Sequence, residues 1–142
     1  MSTKTLSDYA FETKLALPYE AAIEKVTAAL KEEGFGVLTS IDVKSTFKQK
    51  LDVDFRKYAI LGACNPTLAH RSLSQELAIG LLLPCNVIVY EEEGDETHAE
   101  QHTVVSIVDP VAMLEVANSP ALAPVAQEAQ ARLRRVAAAL AA

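Results

Sequence analysis

Two cysteines carry the chemistry that the sequence suggests most directly. Cys64 and Cys85 are the only cysteines of the chain, and each is followed by an asparagine, Asn65 and Asn86. Asn65 with Pro66 is typical of a helix start, because asparagine accepts unpaired amides at the N-cap and proline is favoured at the next position. The unpaired amides and the helix dipole favour an anion there. The sequence therefore predicts a lowered pKa and a raised nucleophilicity for the Cys64 thiol.

A histidine lies close enough in sequence to join this chemistry. His70 follows about one and a half turns into the helix that Asn65 would begin. In a thiol-dependent redox enzyme, Cys64 would be the nucleophile, His70 its base or orienting group, and Cys85 the resolving thiol. The same two sulfurs and one imidazole suit Zn²⁺ or Cu⁺. Buried cysteines also serve as small hydrophobic residues, so a purely structural role remains open.

Other polar motifs carry weaker signals. His98 and His102 would lie about 13 Å apart on one face of a strand, which makes them poor co-ligands for a metal. The acidic turn at residues 91–96 lacks the alternating oxygen ligands of a calcium loop and is typical of a solvated turn. The sequence contains no glycine-rich phosphate loop and no G-x-S-x-G or H-E-x-x-H motif.

Length and charge narrow the class of protein. A chain of 142 residues, half of them hydrophobic, fits one domain over residues 1–142 with a substantial core. The net charge of −6 argues against nucleic acid as the main partner. The longest apolar run is too short to span a bilayer, and the first residues lack the apolar segment of a signal peptide. We therefore expect a cytoplasmic protein with no nucleic-acid partner and no membrane partner.

The hydrophobic pattern predicts an α+β fold. Strands are expected at residues 9–17, 35–41, 58–63, 81–90 and 98–108, with Pro84 at a bulge or an edge position because it lacks a ladder amide. Helices are expected at residues 18–30, 43–51, 65–77, 111–116 and 119–140, with Gly34 ending the first and Asp42 capping the second. The last two strands would form a hairpin. This order predicts a mainly antiparallel five-stranded sheet with helices packed on one face.

Several stretches together resemble domain-of-unknown-function family 302, a family of small bacterial and archaeal domains. They are Gly34-Phe35-Gly36-Val37-Leu38-Thr39-Ser40-Ile41-Asp42, Phe55-Arg56-Lys57-Tyr58-Ala59-Ile60-Leu61-Gly62-Ala63-Cys64-Asn65-Pro66, Ala69-His70, Gly80-Leu81-Leu82-Leu83-Pro84-Cys85-Asn86-Val87 and Val105-Ser106-Ile107-Val108-Asp109-Pro110. The resemblance covers nearly the whole chain. It implies a β-α-β(4)-α skeleton like the repeat of the TATA-binding protein, and self-association into dimers. It implies no activity, and the likeness of fold does not imply DNA binding.

The expected site is a pocket at the predicted helix start. We predict a module that binds a small ligand or a partner there, through Cys64, Asn65, His70, Cys85 and Asn86. The alternatives are a thiol-dependent redox enzyme with Cys64 and His70 as candidate catalytic residues, and a soft-metal protein with Cys64, His70 and Cys85 as ligands. The hydrophobic composition and the alanine-rich last helix favour a homodimer.

Overall fold

Six strands form one antiparallel sheet in the order β1-β2-β6-β5-β4-β3. The computed structural model of the chain describes residues 3–6, 9–92 and 102–142, and for residues 3–6 the backbone alone. The sheet contains the five predicted strands and adds a short sixth, β1, at the edge beside β2. The strands are β1 (Thr3–Leu6), β2 (Ala10–Leu15), β3 (Gly36–Asp42), β4 (Tyr58–Cys64), β5 (Cys85–Glu91) and β6 (Thr103–Val108).

Five α-helices connect and cover these strands. The helices are α1 (Tyr19–Glu32), α2 (Val43–Leu51), α3 (Pro66–Gln75), α4 (Pro110–Leu114) and α5 (Ala123–Ala141). The sequence β2-α1-β3-β4-β5-β6-α5 is the expected skeleton, with α2, α3 and α4 inserted between its strands. The predicted α+β class is thus confirmed. The likeness to the TATA-binding protein repeat stays a prediction.

Local capping signals explain where the predicted helices begin and end. Pro18 precedes the first residue of α1, and Gly34 follows the helix with a φ of 84°, a conformation that glycine adopts without strain. The Gly34 amide donates to the carbonyl of Lys31 at 3.0 Å. Asp42 caps α2 by accepting a hydrogen bond from the Ser45 amide at 3.0 Å. These ends are therefore set by residues close in sequence.

Pairing across the sheet places one face against the helices. Phe11, Ile107, Val87 and Leu61 follow one another across β2, β6, β5 and β4, and each is at most 4% exposed. Burying such a row removes apolar surface from water, which stabilises the fold by about 25 cal/mol per Å² of buried apolar area. The helices contribute to the same core through Ala22, Val26, Leu30, Val125, Ala126, Ala129, Leu133, Val136, Ala137 and Leu140.

The opposite face of the sheet carries a second set of aligned side chains. Ile60 pairs with Ile88, and Ile88 pairs with Ser106. One row away, the rings of Tyr58 and Tyr90 stack with centroids 5.3 Å apart. None of these four large side chains belongs to the core that α1 and α5 cover. The face is therefore partly apolar although it lies away from those two helices.

The connection between α3 and β5 differs from the prediction. Residues 77–82 form a 3₁₀ helix, and β5 begins only at Cys85, so Pro84 precedes the strand instead of interrupting it. The apolar run at residues 79–83 resembles a buried strand, but proline has no amide for the ladder and pairing starts after it. The predicted extension of α3 to Leu77 is also wrong, since α3 ends at Gln75 and Leu77 is 85% exposed.

The hairpin of the last two strands agrees with the prediction where the structure describes it. β5 and β6 pair in antiparallel fashion from Val87 opposite Ile107 to Glu91 opposite Thr103. The start of the predicted strand at His98 and most of the predicted acidic turn lie outside the described residues. The last helix begins slightly later than expected, because residues 120–122 form a 3₁₀ turn before α5.

Candidate ligand-binding cavity

A cavity of about 310 Å³ lies where the C-terminal end of β4 meets α3. Its wall combines β3, β4, the start of β5 and the three helices α3, α4 and α5. The lining residues are Phe35, Leu38, Thr39, Ala63, Cys64, Asn65, Leu68, Ala69, Ser72, Leu73, Leu83, Pro84, Cys85, Pro110, Met113, Leu114, Val125 and Ala129. The cavity is therefore at the place that the Cys64 and Asn65 motif indicated, with walls that are mainly hydrocarbon.

Exposure distinguishes the inner wall of the cavity from its rim. Ala63, Leu68, Ser72, Cys85 and Leu114 are all at most 8% exposed. At the rim, the edge strand β3 contributes Leu38, which is 69% exposed, and the exposed Thr39. The cavity thus extends from an exposed edge of the sheet towards the core.

The N-cap of α3 fixes one side of the cavity. Asn65 is 8% exposed, and its Oδ1 accepts a hydrogen bond from the Leu68 amide at 3.1 Å. The hydroxyl of Ser72 donates to the carbonyl of Leu68 at 2.9 Å. The polar side chains of the inner wall are therefore engaged with the backbone of α3, and the side of that helix that faces the cavity is mainly apolar.

A second cap fixes the opposite side. Asp109 caps α4 by accepting a hydrogen bond from the Val111 amide at 2.9 Å. Gln130 of α5 donates to both carboxylate oxygens of Asp109, at 3.0 and 3.1 Å. This contact holds α4 against α5. Met113 of α4 and Ala129 of α5 consequently face the same space.

Gly62 permits the close approach of two wall residues. A Cβ atom at Gly62 would lie 2.8 Å from Cγ of Pro84 and closer still to the hydroxyl of Thr39. Real Cβ atoms do not approach other atoms so closely. The absence of a side chain at Gly62 therefore lets both Thr39 and Pro84 approach β4 closely.

The thiols behave differently from the prediction. Both cysteines are free thiols. Burial raises the pKa of the Cys64 thiol, and burial, assisted by any negative charge on Cys64, raises the pKa of Cys85 to about 11. The predicted lowering of the Cys64 pKa is wrong. Asn65, and not Cys64, is the N-cap of α3 and accepts the Leu68 amide, so Cys64 experiences the apolar wall instead.

The structure brings together three of the five predicted binding residues. Cys64, Asn65 and Cys85 line the cavity. His70 is exposed on α3 and does not line it. Asn86 is exposed and pairs with Gly62, one residue beyond the pair that Cys85 forms with Ala63, so it points to the other face of the sheet. The two Cys-Asn motifs therefore place their asparagines in different surroundings.

The described residues form no ligand set for a metal ion. Within residues 9–92 and 102–142, no group of three or more His, Cys, Asp or Glu side chains is arranged to hold a metal ion. His98 and most of the acidic turn lie outside the described residues. None of the helices that the structure describes is long and apolar enough to cross a membrane.

Sequence reasoning missed the far wall of the cavity. Pro110, Met113, Leu114, Val125 and Ala129 all line it. They follow Cys64 by 46 residues or more, and their apolar character predicted only core packing. The one available signal was the helical spacing of Val125 and Ala129, which indicates a shared face of α5 but not what that face contacts.

Comparison with known proteins gives one consistent result. A family model described as "Domain of unknown function DUF302" matches residues 11–140. A solved structure, the crystal structure of the uncharacterized conserved protein DUF302 from Bacillus stearothermophilus, is 31% identical with a TM-score of 0.78. The alignment covers 94% of this chain and 97% of that chain. No curated protein matches the sequence.

Proposed function

This chain belongs to the DUF302 family, and for this member we propose a binding function: the cavity beside α3 holds a small ligand with a largely apolar surface. The observation that carries the proposal is the cavity itself, about 310 Å³ in volume and lined by both cysteines. Ligand sites in proteins are typically concave, mainly apolar and about 300–1,000 Å³ in size, with a few polar groups that orient the ligand. This cavity lies at the small end of that range.

The protonation of the thiols favours binding over thiol catalysis or metal binding. A thiol acts as a nucleophile or a soft-metal ligand through its thiolate. The pKa of Cys64 is raised by burial and the pKa of Cys85 is about 11, so both groups are largely protonated near neutral pH. His70 does not line the cavity and offers no base there. Cys64 and Cys85 therefore serve as polarisable apolar surface.

Filling the cavity tests the proposal. Ala129 lines the cavity from α5, whereas Ala131 of the same helix is exposed. The two variants Ala129→Leu and Ala131→Leu add the same group, the first inside the cavity and the second in solvent. We expect toluene at ten times its Kd to raise the Tm of the wild type and of Ala131→Leu by about 3–6 °C. The increase should be clearly smaller in Ala129→Leu, because the added group fills part of the cavity. An equal increase in all three proteins would place the toluene elsewhere and refute the proposal.

We also propose that the chain forms a homodimer. Support comes from the face of the sheet that lies away from α1 and α5, where Ile60, Ile88, Tyr58 and Tyr90 form a partly apolar surface. Such surfaces are typical of protein interfaces. Sedimentation equilibrium should give twice the chain mass for the wild type and the chain mass for Ile88→Lys. A monomer at all concentrations in the wild type would contradict this. A cytoplasmic location and the lack of a nucleic-acid partner stay predictions.

A further inference from the structure

The walls of the cavity restrict the chemistry of its ligand, and we infer that the ligand is uncharged. Its enclosed part has about a dozen non-hydrogen atoms or fewer, in an alkyl or aryl body with at most one small neutral polar group such as a hydroxyl. This inference rests on the proposed function, because it describes the occupant of the same cavity.

Volume limits the part of the ligand that the cavity encloses. A buried apolar cavity of about 150 Å³ accommodates one benzene molecule. The cavity beside α3 has about 310 Å³, roughly twice that volume. It therefore accepts a substituted ring, two fused rings or an alkyl chain of medium length. A nucleotide, a cofactor of similar size or a peptide is too large to be enclosed in it.

The wall provides no partner for a charged group. None of the described residues that line the cavity is an Asp, Glu, Lys, Arg or His. An ion that is transferred from water to an apolar site without a counter-charge pays a large desolvation cost. The cavity consequently discriminates against carboxylates, phosphates and ammonium groups.

Two polar atoms of the inner wall are already engaged. Asn65 Oδ1 accepts from the Leu68 amide, and the Ser72 hydroxyl donates to the Leu68 carbonyl. Thr39, in contrast, lies at the exposed rim of the cavity. A single neutral polar group on the ligand thus fits best at the exposed rim, where water solvates it, with the apolar body inside.

One cation near Asn65 requires a specific control. Arg132 Nη1 donates to the carbonyl of Glu33 at 3.0 Å, and it lies 3.4 Å from the position that a Cβ of Gly34 would occupy. Asn65 Nδ2 lies 2.9 Å from the same position. The buried Nε of Arg132 has no hydrogen-bond partner among the described residues. Arg132 does not line the cavity. It is nevertheless a cation close to Asn65, so an anionic ligand that paired with it would contradict the inference.

Ligands of one length and different charge test the inference. Calorimetric titrations at pH 7.5 would compare 1-octanol, octanoate and octylammonium, with toluene as the reference for occupancy of the cavity. We expect 1-octanol to bind at least ten times more tightly than either ion. In Ala129→Leu, the added group should shorten the preferred alcohol, so that 1-hexanol binds more tightly than 1-octanol. Ala131→Leu should keep the preference of the wild type.

The outcomes separate this inference from the proposed function. Octanoate binding as tightly as 1-octanol, with toluene still bound in the cavity, would overturn the inference and leave the proposed function intact. A loss of that octanoate binding in Arg132→Gln would identify Arg132 as the anion partner and overturn it in the same way. Failure of toluene and of all three octyl compounds to bind would overturn both. Tighter binding of 1-octanol, with the shift to 1-hexanol in Ala129→Leu, supports both.

Discussion

Asn65 Oδ1 accepts a hydrogen bond from the Leu68 amide at 3.1 Å, and both residues line the cavity. One side chain therefore ends β4, starts α3 and forms part of the wall of the proposed binding site. The stability of α3 and the shape of the cavity consequently depend on the same hydrogen bond.

Removal of the cap should destabilise the protein. Asn65→Ala leaves the Leu68 amide without its acceptor, and the loss of such a cap costs about 0.5–2 kcal/mol. Asn65→Asp keeps an acceptor at the same position and serves as the matched control. Urea denaturation should show a lower midpoint for the alanine variant and a smaller change for aspartate. Equal losses in the two variants would mean that the cap contributes little.

Gly62 should tolerate no side chain, whereas Gly36 should tolerate one. In Gly62→Ala, the new methyl group would meet Thr39 and Pro84, and overpacking of this kind costs about 1–3 kcal/mol. Gly36, on the neighbouring strand, has no atom within 4 Å of the same position. Thermal unfolding should therefore show a lower Tm for Gly62→Ala and little change, or a small increase, for Gly36→Ala. The opposite order would contradict the described contact.

The stability of the protein should fall at alkaline pH because of Cys85. Its pKa is about 11 in the fold against an ordinary 9.0, so between these values the unfolded chain loses the proton first. The protonated Cys85 thiol contributes fully to the free energy of unfolding below about pH 9, and this contribution is lost as the pH rises through about 11. The expected loss in free energy of unfolding is about 2–3 kcal/mol.

A variant separates this effect from the titration of tyrosine and lysine. Cys85→Ala should show a flatter decline in stability between pH 9 and 11 than the wild type, while Cys64→Ala should retain most of the decline. Denaturation with urea at a series of pH values measures both. Identical slopes for Cys85→Ala and the wild type would show that Cys85 is not the group responsible.

The rate of alkylation should differ between the two thiols. At pH 8.5, iodoacetamide should modify Cys64 more slowly than free cysteine, since burial raises the pKa of Cys64 and reduces its thiolate fraction. Cys85 should react more slowly still, because it is buried and its pKa is about 11. Peptide mass spectrometry over time gives both rates. Modification of Cys64 faster than free cysteine would restore the interpretation of an activated thiolate.

The elements that the sequence predicted well are those with local signals. Asp42 and Asn65 mark the starts of α2 and α3, and Gly34 marks the end of α1, each through neighbours a few residues away. The prediction for residues 77–82 failed because an apolar run fits a strand and a 3₁₀ helix equally well, and only Ile79 of this segment is buried. β1 was missed because its four residues carry too short a pattern to distinguish a strand from a free terminus.

The candidate site was predictable only in part. The positions of Cys64 at the end of β4 and of Asn65 at the start of α3 follow from local signals, whereas their role in binding stays a prediction. Met113 and Ala129 could not be assigned, since their contact with that junction depends on how α4 and α5 pack in three dimensions. The predicted direction of the Cys64 pKa shift was wrong, because the prediction considered the helix end and not the apolar walls that surround the thiol.

The most direct test of the account locates a bound ligand. Toluene would be titrated into protein with ¹³C-labelled methyl groups, and its position would be read from intermolecular nuclear Overhauser effects. The account predicts contacts with the methyl groups of Leu68, Met113 and Val125, which line the cavity. Contacts confined to Ile60 and Ile88 on the other face of the sheet, or no contacts at saturating toluene, would contradict it.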